Sequence, residues 1–399
     1  MTRPVYLCAG VRTPFGRHGG ALSGIRTDDL AALPLSALVA RHPSVDWGAL
    51  DEVILGCANQ AGEDNRDVAR MALLLAGLPL EVPGVTVNRL CASGLEAIGQ
   101  AARAIRLGDA DLILAGGVES MSRSPYVLGK AGTPLARDQK LEDTTLGWRF
   151  VNPRMKALYG VESNTETAEN LARELAISRE DQDAYALRSQ QRTVAAAPLL
   201  AEEILPVAVK AGRETRTVAQ DEHPRPGTSR DDLADLKPLL GPGTTITAGN
   251  ASGLNDGACA VLLASEPALK RHGLQPIARI GGMASAGVPP RTMGLGPVPA
   301  IRKLLAREGR TLAEFDRIEI NEAFAAQVLA CLRTLGIPDD APHVNPHGGA
   351  IALGHPLGAS GARLCLTAAL DLGRSGARRA LVSLCVGVGQ GLALSLERS

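Results

Sequence analysis

The sequence predicts an α/β fold built twice. Two observations carry this reading. Short apolar strand patterns alternate with amphipathic helical patterns at a spacing that implies parallel sheets covered by helices. In addition, the stretch VNRLCASGLEAIGQAARAIRLGDADLILAGG from Val87 returns from Val344 as VNPHGGAIALGHPLGASGARLCLTAALDLGRSGARRALVSLCVGVG. In both copies an ASG triplet opens a helical pattern, so Ser93 and Ser360 are equivalent points. Each helix is expected to end at a glycine, Gly108 and Gly373, and to lead into an apolar strand that ends in glycines. A second match supports the offset: DEVILGC from Asp51 and DRIEINE from Asp316 both read as short strands, and their separation of 265 agrees with the 267 between the two serines. Two such halves are expected to pack face to face.

The middle of the chain has another character. Residues 124–250 carry more charge, several prolines and the amphipathic segment SREDQDAYALRSQQRTVAAA, whose Ser178 and Asp181 form a capping-box-like start. This reads as an inserted loop domain. The expected organisation is an N-terminal half of 1–123 plus 251–275, the loop domain 124–250, and a C-terminal half 276–399.

Composition bounds the function. With 399 residues, 45% of them hydrophobic, and 44 glycines, the chain can build two or three compact domains. Its 42 basic and 42 acidic residues cancel without long runs, which argues against nucleic acid or a membrane surface as partner, so any anion must be met by a local site. The opening MTRPVYLCAGVRTPFG lacks an apolar core of signal-peptide length, and no stretch reaches the roughly 18 apolar residues of a membrane helix. A cytoplasmic protein is expected. Seven cysteines, at 8, 57, 91, 259, 331, 365 and 385, are odd in number and scattered, without a CxxC pair or a histidine at ligand spacing, so neither disulfides nor a metal are expected. Cys8, Cys57, Cys259, Cys331 and Cys365 lie among apolar neighbours and read as small buried hydrophobes.

Cys91 and Cys385 stand apart. In VTVNRLCASG, Cys91 follows a strand and precedes a helix, where free N–H groups and the helix dipole favour a thiolate; a buried helix-start cysteine is the competing reading. His355 lies in the glycine-dense GGAIALGHPLGASGAR, between Gly354 and Pro356, where a core histidine would be unusual, although a solvated turn histidine is the alternative. Cys385, in LVSLCVGVGQG, ends a strand of the second repeat, and the N–H groups of Gly387 and Gly389 beyond it could bind an oxyanion. Asn321 opens NEAFAAQVLACLRTLG at a strand-to-helix junction, where it either caps the helix or holds a water in the crevice.

The segments LCASG, TAGNASGLNDGA, NEAFAAQ, NPHGGAIALGHPLGASGAR and CVGVGQG, in this order, resemble the thiolase family over essentially the whole chain. The resemblance implies a duplicated, layered α/β/α/β/α fold with an inserted loop domain, a homodimer or homotetramer, and acyl-CoA and coenzyme A as substrates with no permanently bound cofactor. By the same resemblance Cys91 takes the acyl group, His355 activates the thiol of Cys91 or of coenzyme A, and Cys385 gives or removes a proton at the substrate α-carbon. Asn321 would hold a water that stabilises the enolate oxygen with His355. The chemistry needs such a set: breaking a carbon–carbon bond beside a carbonyl releases an enolate, which requires donors in a dry site and an acid to quench it. The backbone N–H groups of Cys91 and Gly387 would form the oxyanion hole. Ser252 matches a position at the pantetheine arm and Arg225 one near the nucleotide end of coenzyme A, where a solvated arginine is the alternative.

Within the family, DEVILGCANQAGEDNRDVAR, DTTLGWRFVNP, SREDQDAYALRSQQRT and MGLGPVPA are similar to members that act on 3-oxoadipyl-CoA in aromatic-acid degradation. Where short-chain members carry a His-Met pair over the acyl pocket, this chain has Ser163 and Asn164. A distal carboxylate needs a donor, and Arg66, Arg149 and His347 are candidates, each equally readable as a surface or interdomain residue. The expected reaction is 3-oxoadipyl-CoA plus CoA to succinyl-CoA plus acetyl-CoA. An acetyltransferase acting on acetoacetyl-CoA or a broad-range 3-ketoacyl-CoA thiolase is the alternative. A ketoacyl-synthase-type enzyme would use a cysteine with two histidines, and a non-catalytic acyl-CoA binding protein would not need Cys91, His355 and Cys385 together.

Overall fold

A computed structural model describes residues 3–399. The N-terminal part runs β1 (Val5–Arg12), β2 (Gly16–Arg17), α1 (Thr27–Arg41), β3 (Glu52–Gly56), α2 (Val68–Leu75), β4 (Gly84–Val87), α3 (Ser93–Leu107) and β5 (Leu112–Ser120). The middle segment holds β6 (Tyr126–Leu128), β7 (Leu141–Asp143), α4 (Pro153–Tyr159), α5 (Asn164–Glu174), α6 (Arg179–Ala195), α7 (Ala197–Ala201), β8 (Val207–Ala211), β9 (Glu214–Val218) and α8 (Arg230–Ala234). The chain then returns through β10 (Asn255–Ser265) and α9 (Glu266–His272) before β11 (Ala278–Gly287), α10 (Pro297–Glu308), β12 (Arg317–Ile320) and α11 (Ala325–Leu335). It closes with α12 (Ala350–Leu353), α13 (Leu357–Ser375), β13 (Arg379–Val386) and β14 (Gln390–Arg398).

The strands do not form separate parallel sheets, as their spacing suggested. The strands of the two halves join in one mixed sheet ordered β12-β13-β14-β11-β1-β10-β5-β3-β4, with β2 paired to β10, while β6 with β7 and β8 with β9 form two separate hairpins. Among the described strands, only β3 with β4 and β5, and β12 with β13, are parallel. The returning strands β10 and β14 run antiparallel to their neighbours, a reversal that helix–strand alternation alone cannot reveal. The order is nearly palindromic about β1 and β11, which touch through only two residue pairs. The repeat is therefore visible in space: β3 answers β12, α3 answers α13 and β5 answers β13. Asp51 accepts the N–H groups of Asp111 and Leu112, and Asp316 those of Arg378 and Arg379, the same cap in each half.

Three cores make the layers. One apolar cluster joins α3 and α13 to the inner faces of both sheet halves. A second lies under α1 and α2 and a third under α10 and α11, which gives five layers, helix–sheet–helix–sheet–helix. Strands buried on both faces, such as β5 and β10, read as nearly continuous apolar runs for this reason. Apolar residues of the middle segment join the outer cores: Val207 and Val209 the second, Leu171 and Tyr185 the third.

The helix ends follow local chemistry with two corrections. Gly108 closes α3 in the left-handed conformation, φ 89°, but α13 passes through Gly373 and ends at Gly376, φ 74°. Gly376 follows the last buried turn, so it is the residue that must reverse the chain. Asn321 is not an N-cap. Its own N–H goes to Ser383 O, and α11 begins only after Phe324, whose backbone bridges Ala251. Ser163 and Ser178 do cap α5 and α6 in complete capping boxes with Glu166 and Asp181.

Close packing of the inner helices sets up the site. A Cβ on Gly94 would sit 2.4 Å from Gly358 O, and one on Gly358 would sit 2.2 Å from Val118 O. The ASG of α3 and the HPLG of α13 thus bring the starts of both helices against β5 at backbone distance.

Candidate active site

Cys91 sits on a single tight turn, residues 90–92, between β4 and α3. The turn is forced: Leu90 adopts φ 46°, uncommon for a residue with a side chain. Its N–H is held by Asn88 Oδ1 at 2.8 Å, and Ser93 Oγ accepts from Arg89 N while donating to Leu90 O. Arg89 also reaches Gln390 Oε1 at 2.9 Å, tying the turn to the other half. Burial pushes the Cys91 thiol up to about 11; the N–H groups of Gly387 and of Cys91 itself pull it down, and the Glu119 charge opposes them. Desolvation thus outweighs the N–H groups of the helix start, and the Cys91 thiol stays protonated where a thiolate was expected.

His355 lies between α12 and α13, its N–H given to Asn255 Oδ1 at 2.9 Å. The preceding Gly354 has φ 99°, and a Cβ there would strike the Asn255 amide at 2.3 Å. His355 Nδ1 is 2.6 Å from Ser360 Oγ, and that hydroxyl donates to Pro356 O at 2.9 Å. With its hydrogen committed, Ser360 accepts from Nδ1–H, which leaves the lone pair on Nε2. Asn321 Nδ2 lies 3.3 Å from that nitrogen. Burial first and Arg363 second lower the imidazole to about 3, so it is neutral near pH 7.

Cys385, fully buried at the end of β13, is pushed well above the ordinary thiol range by burial, with Cys91 opposing its ionisation further. Asn321 is buried too, and its Oδ1 has no hydrogen-bond partner on the protein. A buried acceptor of this kind calls for a donor from elsewhere. Asn321, Cys385 and His355 come from the C-terminal half and Cys91 from the N-terminal half.

Cys91 opens onto a cavity of about 340 Å³, walled by Leu90, Gly387, Val388, Met293 and, from the middle segment, Trp148 and Arg149. Ser163 and Asn164 line it, as the start of α5. Arg66 and His347 do not. Arg66 lies in an exposed turn just before α2, at φ 55°, and His347 Nε2 pairs with Asp371 at 2.9 Å beside α13. Sequence proximity to the motifs did not bring these two to the cavity. Arg225 lines a second cavity of about 480 Å³ with His223, Gln190 and Gly249. Ser252 lies off that wall, half-buried, with its N–H on Ala323 O.

Several residues here went unnoticed in the sequence. Glu119 is buried at the end of β5, its carboxylate accepting from Ala58, Asn59 and Gly358 N–H, and burial raises it to about 7. An acid closing an otherwise apolar strand was the available signal. Cys57 is buried as expected, yet it donates to Asp64 at 3.4 Å and lies 4.0 Å from Glu119. These three could approach a metal, since their donor atoms lie within 4.8 Å of one another. Their lone pairs are instead taken by N–H groups and the thiol proton: Asp64 also accepts from Gln60 and Gly62. Ser360 was legible only as the repeat partner of Ser93.

Residues 5–267 match the model of the thiolase N-terminal domain and residues 274–398 that of the thiolase C-terminal domain. The chain is 64% identical, over 100% of both sequences, to the beta-ketoadipyl-CoA thiolase of Pseudomonas aeruginosa. It is 60% identical to the 3-oxoadipyl-CoA/3-oxo-5,6-dehydrosuberyl-CoA thiolase of Escherichia coli, across 99% of this chain and 100% of that one. Among solved structures it is similar to human mitochondrial 3-ketoacyl-CoA thiolase in complex with CoA, with TM-score 0.91 and 41% identity over 100% of this chain and 98% of that one.

Proposed function

The chain belongs to the thiolase family, and from that premise we propose that it cleaves 3-oxoadipyl-CoA with coenzyme A to succinyl-CoA and acetyl-CoA. The observation that carries the substrate is the 64% identity over full length to a relative named for beta-ketoadipyl-CoA.

In this reading His355 Nε2 takes the Cys91 proton and the sulfur attacks the C3 ketone, its oxygen received by the N–H groups of Cys91 and Gly387. The C2–C3 bond breaks, leaving succinyl-Cys91 and the enolate of acetyl-CoA. The Cys385 thiol protonates that enolate at carbon, and Asn321, through a water, supports its oxygen together with His355. Coenzyme A then gives its thiol proton to the Cys385 thiolate and attacks the succinyl thioester, and Cys91 leaves and recovers its proton from His355. The neutral imidazole and the un-ionised Cys385 thiol support this assignment, since each starts in the protonation state its step requires. The partnerless Asn321 Oδ1 supports the water.

Arg225 and its cavity take the nucleotide end of coenzyme A, and Ser252 its pantetheine arm. The N-terminal half, 1–123 plus 251–275, supplies the nucleophile; the C-terminal half, 276–399, the acid–base set; the loop domain, 124–250, the acyl wall. No cofactor is permanently bound. The enzyme works in the cytoplasm as a homodimer or homotetramer, a state supported by large apolar side chains left exposed at Leu75, Leu80, Tyr126 and Leu135.

Purified protein with 3-oxoadipyl-CoA and coenzyme A is expected to yield equal amounts of succinyl-CoA and acetyl-CoA, at higher kcat/KM than for acetoacetyl-CoA. Preferential use of acetoacetyl-CoA would overturn the substrate assignment.

A further inference from the structure

We propose that Arg149 reads the distal carboxylate of the acyl group and so selects dicarboxylic acyl chains over monocarboxylic ones. The inference deepens the function proposed above and rests on it.

The Cys91 cavity presents two cations, Arg149 and Arg291. They differ in what already satisfies them. Arg291 is exposed and paired with Glu174. Arg149 is half-buried and forms no ion pair among the described residues. Its protein contacts are neutral and long: Nη2 to Asn59 O and Asn59 Oδ1, both 3.3 Å. Asn59 is itself fixed, because its Nδ2 donates to Ser124 Oγ at 2.7 Å and to Thr144 Oγ1 at 3.2 Å, which turns its carbonyl toward Arg149. The guanidinium is thereby steadied through one nitrogen while Nε and Nη1 keep their donors for another acceptor. Nε–H and the Nη1 hydrogens point to different edges of the guanidinium plane, so a carboxylate is met at Nη1 by charge-assisted N–H···O bonds rather than by an Nε/Nη1 fork.

The other charged groups on the wall leave this role to Arg149. Glu119 is saturated by three backbone N–H groups, and Glu162 accepts from Asn170. The start of α5, which would otherwise attract an anion, already carries the Glu166 carboxylate of its capping box. Leu90, Leu146 and Met293 supply apolar surface for the methylenes between the thioester and the charged end.

The test compares kcat/KM on 3-oxoadipyl-CoA with that on 3-oxohexanoyl-CoA, which has the same chain length and no terminal carboxylate, for wild type, Arg149→Gln and Arg149→Lys. Wild type is expected to favour the dicarboxylic substrate. The ratio should fall on the order of 10- to 100-fold in Arg149→Gln, the range for losing a charge-assisted pair, and by less in Arg149→Lys. Turnover of the neutral substrate reports folding in the same samples. An unchanged ratio in Arg149→Gln, with wild type still selective, overturns the Arg149 assignment alone. A wild type without preference for the carboxylate overturns the proposed function, and this inference with it.

Discussion

At the scale of the residue, the protonation states are set by desolvation more than by any charged neighbour. His355 shows the consequence for stability. Its folded value of about 3 lies below the ordinary 6.5, so between those values the unfolded chain binds a proton that the folded chain refuses. Stability from this group is fully present above about 6.5 and is lost as pH falls toward 3, at about 1.4 kcal/mol per pH unit. Chemical unfolding at pH 6.5, 5.5 and 4.5 should therefore show a shallower loss for His355→Gln than for wild type, and parallel losses would refute the buried neutral imidazole. The same desolvation holds Cys91 as a thiol where a thiolate was expected.

At the scale of the element, glycines of one repeat serve different ends. Gly373, expected to terminate a helix, instead lies inside α13, with nothing within 4 Å of the position a methyl group would take. Gly373→Ala should raise the unfolding midpoint, by roughly 0.5–1 kcal/mol, as alanine does in a helix interior. Gly94→Ala is its opposite, because its methyl would meet the backbone carbonyl of Gly358. A loss of about 1–3 kcal/mol is expected there, seen as a lower denaturant midpoint. Equal effects from the two substitutions would contradict the inner-helix contact. Strand and helix identities were largely legible, since the capping box at Ser178 and the apolar runs of β5 and β13 are local signals. The direction of β10 was not, because its partners β5 and β1 lie far along the chain, whereas β14 folds back on its neighbour β13 through the tight turn at 387–389.

At the scale of the whole molecule, the two halves share their central core. The inner cluster draws Leu95 and Ile98 from α3, Leu364 and Leu366 from α13, and Val382 and Leu394 from the C-terminal strands. Residues 1–273 alone would leave the inner face of α3 uncovered. That fragment should bind a hydrophobic dye and melt without a sharp transition, as followed by fluorescence and circular dichroism; a cooperative, dye-silent fragment would show the halves to be independent.

From sequence alone came the duplication, the motif residues Cys91, Asn321, His355 and Cys385, and the resemblance to thiolases, because residue type, spacing and repetition are carried by the chain itself. Tertiary structure decided what depends on neighbours distant in sequence. It set Ser360 against His355 Nδ1, brought Cys385 of one half close enough to Cys91 of the other to oppose its ionisation, and left Arg149, rather than Arg66 or His347, on the Cys91 cavity without an ion-pair partner. Proton affinity and the availability of a charge follow from burial and from competing partners, which arise only when distant segments pack together.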